Sequence, residues 1–158
     1  EIAHVPQTVY LADCSIAENI AFGEAYQDID INKVKEAARK AQIANFIENK
    51  PDSYRTFVGE RGVRLSGGQK QRIGLARAFY KKAKIFILDE ATNALDEKTE
   101  SAVINSINNL GNKATVIMIT HRLSTLKNCD RIIRIEKGLL YKEGTPDELL
   151  NGYQANQE

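Results

Sequence analysis

With 158 residues, 42% hydrophobic and 27% charged, the chain has the size and balance of one globular domain able to bury a core, which excludes a disordered segment. Its formal net charge of +1 gives no global reason to expect a nucleic-acid or membrane-surface binder, so any electrostatic argument must be local. No apolar run approaches the roughly 18 residues that a membrane helix needs.

Taken in chain order, the sequence opens at Glu1 rather than Met, and its only methionine is Met118. That is the look of an excised piece or of a chain from which something was removed, and nothing near the start has the pattern of a signal peptide. Ile2 to Val5 is a short apolar stretch stopped by Pro6, the end of a strand, and Gln7 begins a loop. Cys14, like Cys129 far downstream, is an isolated thiol without CxxC spacing, against a zinc site or a disulfide scaffold and in keeping with a reducing compartment.

From Ser15 to Tyr80 the pattern is helical. Ser15 to Glu18 forms a capping box ahead of Ile20 and Phe22, and Gly23 breaks the run. Asp30 can cap a longer helix whose apolar positions Val34, Ala37, Ala38, Ala41, Ala44 and Ile47 recur at three- and four-residue steps until Pro51. Ser66 opens another helix, with Ile73, Ala76 and Tyr80 on one face.

Beyond Tyr80, strands and helices alternate. Ile85 to Leu88 is a continuous apolar run suited to a parallel strand buried on both faces, and Glu97 to Leu110 is helical. Thr115 to Thr120 is a second strand, and His121 to Lys127 a short helical turn. Arg131 to Glu136 and Leu139 to Tyr141 form a hairpin through Lys137-Gly138. Thr145-Pro146-Asp147-Glu148 supplies a last capping box, and the polar stretch 151–158 is expected to fray. This alternation implies an open α/β sheet.

Two stretches carry chemistry. In Ser66-Gly67-Gly68-Gln69, serine and glutamine three apart fit a helix N-cap, and two glycines remove side chains that would keep a ligand away. Unpaired N–H groups and the positive dipole end suit a phosphate there. From Arg61 to Leu88 there are eight basic residues and no acidic one, which raises the local potential; an ordinary capped helix fits the same residues. In Lys84-Ile85-Phe86-Ile87-Leu88-Asp89-Glu90, an apolar strand delivers two carboxylates to its C-terminal tip, where open α/β sheets bind ligands. One can hold Mg²⁺ and the next orient or deprotonate an attacking water; the pair also suits a helix start with first-turn charge.

Together, Leu65-Ser66-Gly67-Gly68-Gln69 and the strand ending in Asp89-Glu90, joined by one helix, resemble the signature and Walker B of ATP-binding-cassette (ABC) ATPases. Gln7 falls where the family's Q-loop glutamine lies, Asn93-Ala94-Leu95-Asp96 resembles the D-loop, and His121 follows a strand as the switch histidine does. Val58-Gly59-Glu60-Arg61-Gly62 resembles the X-loop of ABC exporters, and Ser15-Ile16-Ala17-Glu18-Asn19-Ile20 is also similar to exporters. Asn93 stands where serine is common and Ala83 where proline is common, both read as outside the phosphate and metal roles.

The resemblance implies a partial P-loop NTPase core of α/β class, a mostly parallel sheet with flanking helices, plus an inserted α-helical subdomain. Its divisions are 1–14 for the Q-loop strand and loop, 15–82 for the helical signature subdomain, 83–150 for the core with Walker B, D-loop and switch histidine, and 151–158 for the polar tail. It implies ATP and Mg²⁺ as ligands, Glu90 as catalytic base, Asp89 on the metal through water, Gln7 on the metal or attacking water, and His121 on the γ-phosphate. Ser66, Gly67, Gly68 and Gln69 would act on ATP held by a second ATPase domain arranged head to tail, with Asp96 linking the two sites. Gly59, Glu60 and Arg61 would touch transmembrane domains, fused upstream, and the site would lie at the cytoplasmic face of a membrane. No nucleic-acid partner is implied. The phosphate loop GxxxxGK[ST] does not occur in the sequence, so this chain alone is expected to be inactive, and without the strand that leads into that loop it is expected to be marginally stable or to self-associate through open sheet edges. A chromosome-maintenance or DNA-repair ABC ATPase is the alternative, set against by the short helical span between Gln7 and Leu65, which has no sustained heptads. A non-catalytic regulatory ABC module is a further one.

Overall fold

The computed structural model describes residues 2–150. They divide between two compact units that meet at Ile119 and Thr120.

The first unit is built on a three-stranded parallel sheet of β1 (Ile2–Val5), β2 (Ile85–Asp89) and β3 (Thr115–Ile119), with β2 in the middle. Pairing of Val5 with Leu88 and of Leu88 with Met118 brings the C-terminal tips of the strands to one end. Ala3, Val5, Phe86 and Leu88 face the core, with Val116 and Met118 packed partly against it. The expectation that β2 is buried on both faces does not hold. Phe86 and Leu88 are buried, Ile85 and Ile87 only half so, because helices cover one face and the register aligns the half-exposed residues with Ile2 and Ile117 on the other.

Between β1 and β2 the chain is helical: α1 (Ile16–Ile20), α2 (Ile31–Lys40), α3 (Ala44–Glu48) and α4 (Gly67–Tyr80), with 3₁₀ turns at Tyr26–Asp28, Ser53–Arg55 and Glu60–Gly62. Both halves of the Ser15–Glu18 capping box are formed, and Gly23 ends the run with φ at 100°.

The long helix expected from Asp30 towards Pro51 is two helices. Asp30 caps α2 by accepting from the Asn32 and Lys33 amides. The helix then closes in a Schellman motif: the Gln42 N–H donates to Arg39 O at 3.0 Å and the Ile43 N–H to Ala38 O at 2.9 Å. Gln42, at φ 57°, takes the left-handed position that usually belongs to glycine. The apolar periodicity runs through the break because α3 returns Ala44 and Ile47 to the same core as Val34 and Ala38.

Helix α4 is the spine of this unit. It packs on α1, α2 and β1 and buries Ile73, Leu75, Ala76, Ala78, Phe79 and Tyr80. Each large apolar side chain so buried contributes roughly 1.5–3 kcal/mol. After β2, Asp96 caps α5 (Glu97–Asn108), which adds Val103, Ile104 and Ile107 to the core before a crossover to β3.

The second unit holds α6 (Leu123–Leu126), an antiparallel hairpin of β4 (Ile132–Glu136) and β5 (Leu139–Gly144), and α7 (Pro146–Leu150). Lys137 and Gly138 both have positive φ, 49° and 79°, as a two-residue hairpin turn matching strand twist requires. Thr145 and Glu148 complete the capping box ahead of α7. The expected polar tail, 151–158, lies outside the described residues. Among the described residues, no helix is long and apolar enough to cross a membrane.

Candidate functional site

Parallel pairing of Val5 with Leu88 leads, two residues beyond each and past the strand ends, to Gln7 and Glu90. The Gln7 Nε2 donates to Glu90 Oε2 at 2.8 Å. The Asn93 Nδ2 donates to the same oxygen at 2.7 Å, so one carboxylate oxygen is aimed by two amides. Asn93, read from sequence as lying outside the phosphate and metal roles, thus touches the candidate base. Three-residue spacing in a turn makes the contact: the Asn93 N–H donates to Glu90 O at 3.1 Å.

Glu90 itself is conformationally unusual. Its φ is 48°, a left-handed backbone that costs a non-glycine residue of order 1–3 kcal/mol and persists only when its surroundings impose it. Its N–H donates to Ile119 O at 2.9 Å, and its own carbonyl accepts from Gln71 Nε2 at 3.3 Å. Asp89, the last residue of β2, stands beside it at the strand tip.

At the start of α4 the predicted cap is complete. The Gln69 N–H donates to Ser66 Oγ at 3.3 Å, and the Ser66 N–H donates to Gln69 Oε1 at 2.9 Å. The two glycines that follow have different reasons for being glycine. A Cβ on Gly67 would meet only the Ala94 side chain at 3.8 Å, an ordinary contact, whereas a Cβ on Gly68 would lie 2.7 Å from the Ala94 carbonyl oxygen. Gly68 therefore makes room for the 93–96 loop, a reason beyond access for a ligand.

Three cations of this stretch are tied into the fold. Lys70 Nζ donates to Arg61 O at 3.0 Å. Arg72 Nη1 donates to Gln42 O at 2.7 Å, holding the left-handed turn after α2. Arg77 donates to Asn19 O at 2.8 Å and Tyr10 O at 3.1 Å while lying over the Phe22 ring. Burial lowers the pKa of both Arg72 and Arg77.

Asp96 accepts from the Thr99 N–H at 3.0 Å and from the Thr99 hydroxyl at 2.7 Å. These bonds, with Arg72 as a lesser cause, hold its pKa below the ordinary carboxylate value. Gly59, Glu60 and Arg61 form a surface turn with φ of 76° at Gly59 and 50° at Arg61. Lys70 ties that turn to α4, and Gly62 presses it onto Leu11, whose Cδ1 would lie 2.8 Å from a Cβ at that position. His121 belongs to the second unit, exposed just ahead of α6.

Gln71 was not visible as a site residue in the sequence. It is 6% exposed, and its amide reaches the Gln7, Glu90 and Ala94 backbones. Its only sequence signal is a polar residue on the otherwise apolar inner side of α4.

Among the described residues, no cluster of three or more His, Cys, Asp or Glu side chains could hold a metal ion. A Mg²⁺ bound with nucleotide needs only one or two protein oxygens, since water and phosphate supply the rest. Asp89 and the Gln7 amide oxygen at the strand tips fit that demand.

Residues 1–93 match the family described as ABC transporter. ATP-binding cassette sub-family B member 5 of Homo sapiens is 46% identical over 150 residues, covering 95% of this chain and 12% of that protein. The ATP-dependent lipid A-core flippase of Chromobacterium violaceum is 46% identical over 149 residues, covering 94% of this chain and 25% of that protein. The solved structure of a bacterial Atm1-family ABC exporter with ATP bound superposes with a TM-score of 0.90 at 37% identity, over 99% of this chain and 29% of that one. The chain thus spans a quarter or less of the length of the two curated relatives named here.

Proposed function

We propose that this chain, which belongs to the ABC transporter family, forms the later part of the ATP-hydrolysing domain of an exporter, coupling ATP binding and hydrolysis to the movement of a substrate across a membrane. In this reading 1–14 is the Q-loop strand and loop, 15–82 the inserted helical subdomain, and 83–150 the rest of the ATPase core. The observation that carries it is the contact of Gln7 with Glu90 at the tips of adjacent parallel strands.

Phosphoryl transfer to water asks a protein mainly to position groups and balance charge. Glu90 takes the proton of the attacking water, its carboxylate aimed by Gln7 and Asn93. Asp89 would hold Mg²⁺ through water, and Gln7 would contact the metal or the attacking water. When bound, Mg²⁺ neutralises charge on the phosphate oxygens. His121 donates to the γ-phosphate. Ser66, Gly67, Gly68 and Gln69 close on ATP held by a second ATPase domain packed head to tail, and Asp96 links the two sites. Gly59, Glu60 and Arg61 meet transmembrane domains fused upstream, which places this domain at the cytoplasmic face. Residues 1–158 contain no GxxxxGK[ST], so by itself this chain is inactive.

The test is Glu90→Gln in the full-length protein. Steady-state phosphate release is expected to fall by on the order of a hundredfold or more, as on removal of a positioned catalytic group, with ATP-dependent association of the ATPase domains preserved. Near-normal hydrolysis would remove Glu90 from the mechanism.

A further inference from the structure

The buried amide of Gln71 ends three separate loops' hydrogen bonding on one helix. Its Nε2 donates to Gln7 O at 3.4 Å and to Glu90 O at 3.3 Å, and its Oε1 accepts from the Ala94 N–H at 3.0 Å. Each contact is to backbone, so it fixes where a loop runs rather than where one side chain points.

We infer that Gln71 is a positioning residue: it holds Glu90 in its left-handed backbone and fastens the Gln7 and Ala94 loops to the helix that begins with Ser66-Gly67-Gly68-Gln69. This inference rests on the proposed ATPase reading. Three features carry it. Glu90, at φ 48°, occupies a conformation that must be imposed from outside; Gln71 Nε2 at 3.3 Å and the Asn93 N–H at 3.1 Å both donate to its carbonyl, and Ile119 holds its N–H. The Ala94 loop meets α4 at two points: the Ala94 N–H donates to Gln71, and the Ala94 carbonyl oxygen lies 2.7 Å from where a Cβ on Gly68 would stand. Gln71 also lies two residues after Gln69 within one regular helix, so a displacement of the helix start carries the amide with it.

A shift of α4 when its first turn meets a phosphate therefore moves the Glu90 backbone and the 93–96 loop in step. The amide alone can do this. Methionine fills the same volume but offers neither donor, and glutamate keeps an acceptor for Ala94 while setting a carboxylate against two carbonyl oxygens.

The experiment compares wild type, Gln71→Met, Gln71→Glu and Glu90→Gln in the full-length protein, measuring kcat and KM for ATP, thermal midpoint, and amide hydrogen exchange. Gln71→Met is expected to lower kcat about tenfold, the loss of one net hydrogen bond's worth of positioning. KM should stay within about twofold, because the Gln71 amide is engaged by the Gln7, Glu90 and Ala94 backbones. Exchange should quicken over 90–95 and stay unchanged over 73–80. Gln71→Glu should lose more than Gln71→Met. A Gln71→Met kcat within about twofold of wild type, beside a Glu90→Gln enzyme that is inactive, overturns this inference and leaves the ATPase reading standing. So does a variant in which kcat, KM, thermal midpoint and exchange over 73–80 all worsen together, the mark of a merely structural residue. Normal hydrolysis by Glu90→Gln removes the ATPase reading itself, and the inference with it.

Discussion

Replacing Gly68 by alanine separates the packing explanation for that glycine from the ligand-access one. The new Cβ would lie 2.7 Å from the Ala94 carbonyl oxygen, a backbone atom in a loop held by the Ala94 N–H on Gln71 and the Leu95 N–H on Thr92 O at 3.0 Å. The loop cannot simply turn aside, so the cost is that of overpacking, about 1–3 kcal/mol. Against this, alanine is favoured over glycine by about 0.8–1 kcal/mol in a helix interior, and by less in this first turn. Gly67→Ala collects the same helix gain, but its Cβ meets the Ala94 side chain at an ordinary 3.8 Å. The two variants should therefore differ in stability by about 1–3 kcal/mol, with Gly67→Ala the more stable. For a urea dependence of about 1–3 kcal/mol per molar, their midpoints should stand about 1 M apart when the intact ATPase domain is unfolded and followed by far-ultraviolet circular dichroism. Equal midpoints would refute the packing argument and return Gly68 to ligand access alone.

Asn93→Ala removes one of two amides aimed at Glu90 Oε2 and should reduce kcat by about ten- to a hundredfold, the scale of one hydrogen bond to a charged group. Asn93→Asp should lose more than Asn93→Ala, because it sets a second carboxylate beside Glu90 and like charges disfavour ionisation; steady-state phosphate release in both variants checks the order. Tyr54 and Tyr80 are each pushed up to about 12, first by burial and then by the hydrogen bonds to Glu48 and Glu24. A raised folded-state value means the stabilisation is whole below the ordinary tyrosine pKa of about 10 and is lost as pH rises from there towards the folded value. Urea midpoints measured across that window should fall more steeply for wild type than for Tyr54→Phe/Tyr80→Phe, and parallel slopes would contradict the assignment.

Much of the fold could be read from residue types alone, because its signals are local. Ser15–Glu18, Ser66–Gln69 and Thr145–Glu148 are capping boxes that need no distant partner, and Lys137-Gly138 is a turn in its own right. The division of the helix after Lys40 was hidden because Gln42 takes a left-handed position without being glycine, held by Arg72 thirty residues later in sequence. The same contrast runs through the site. Gln7 and Glu90 were identified by their places after apolar strands, and the register brings them together. Gln71 and Asn93 were missed because their partners are set by how α4 and the 90–95 turn dock, which no spacing records. Half-burial of Ile85 and Ile87 was likewise unreadable from a continuous apolar run.

The central proposal is that Glu90 serves one ATP site and the Ser66-to-Gln69 turn the opposite one. Mixed dimers of the full-length protein test this most directly, with ATP hydrolysis as the readout. Pairing Glu90→Gln subunits with Ser66→Arg subunits is predicted to leave one site with every wild-type group and clear hydrolysis, whereas pairing the double variant Glu90→Gln/Ser66→Arg with wild type damages both sites and should leave only background. Activity in the second pairing and none in the first would contradict the account, since it would put signature and base at the same site.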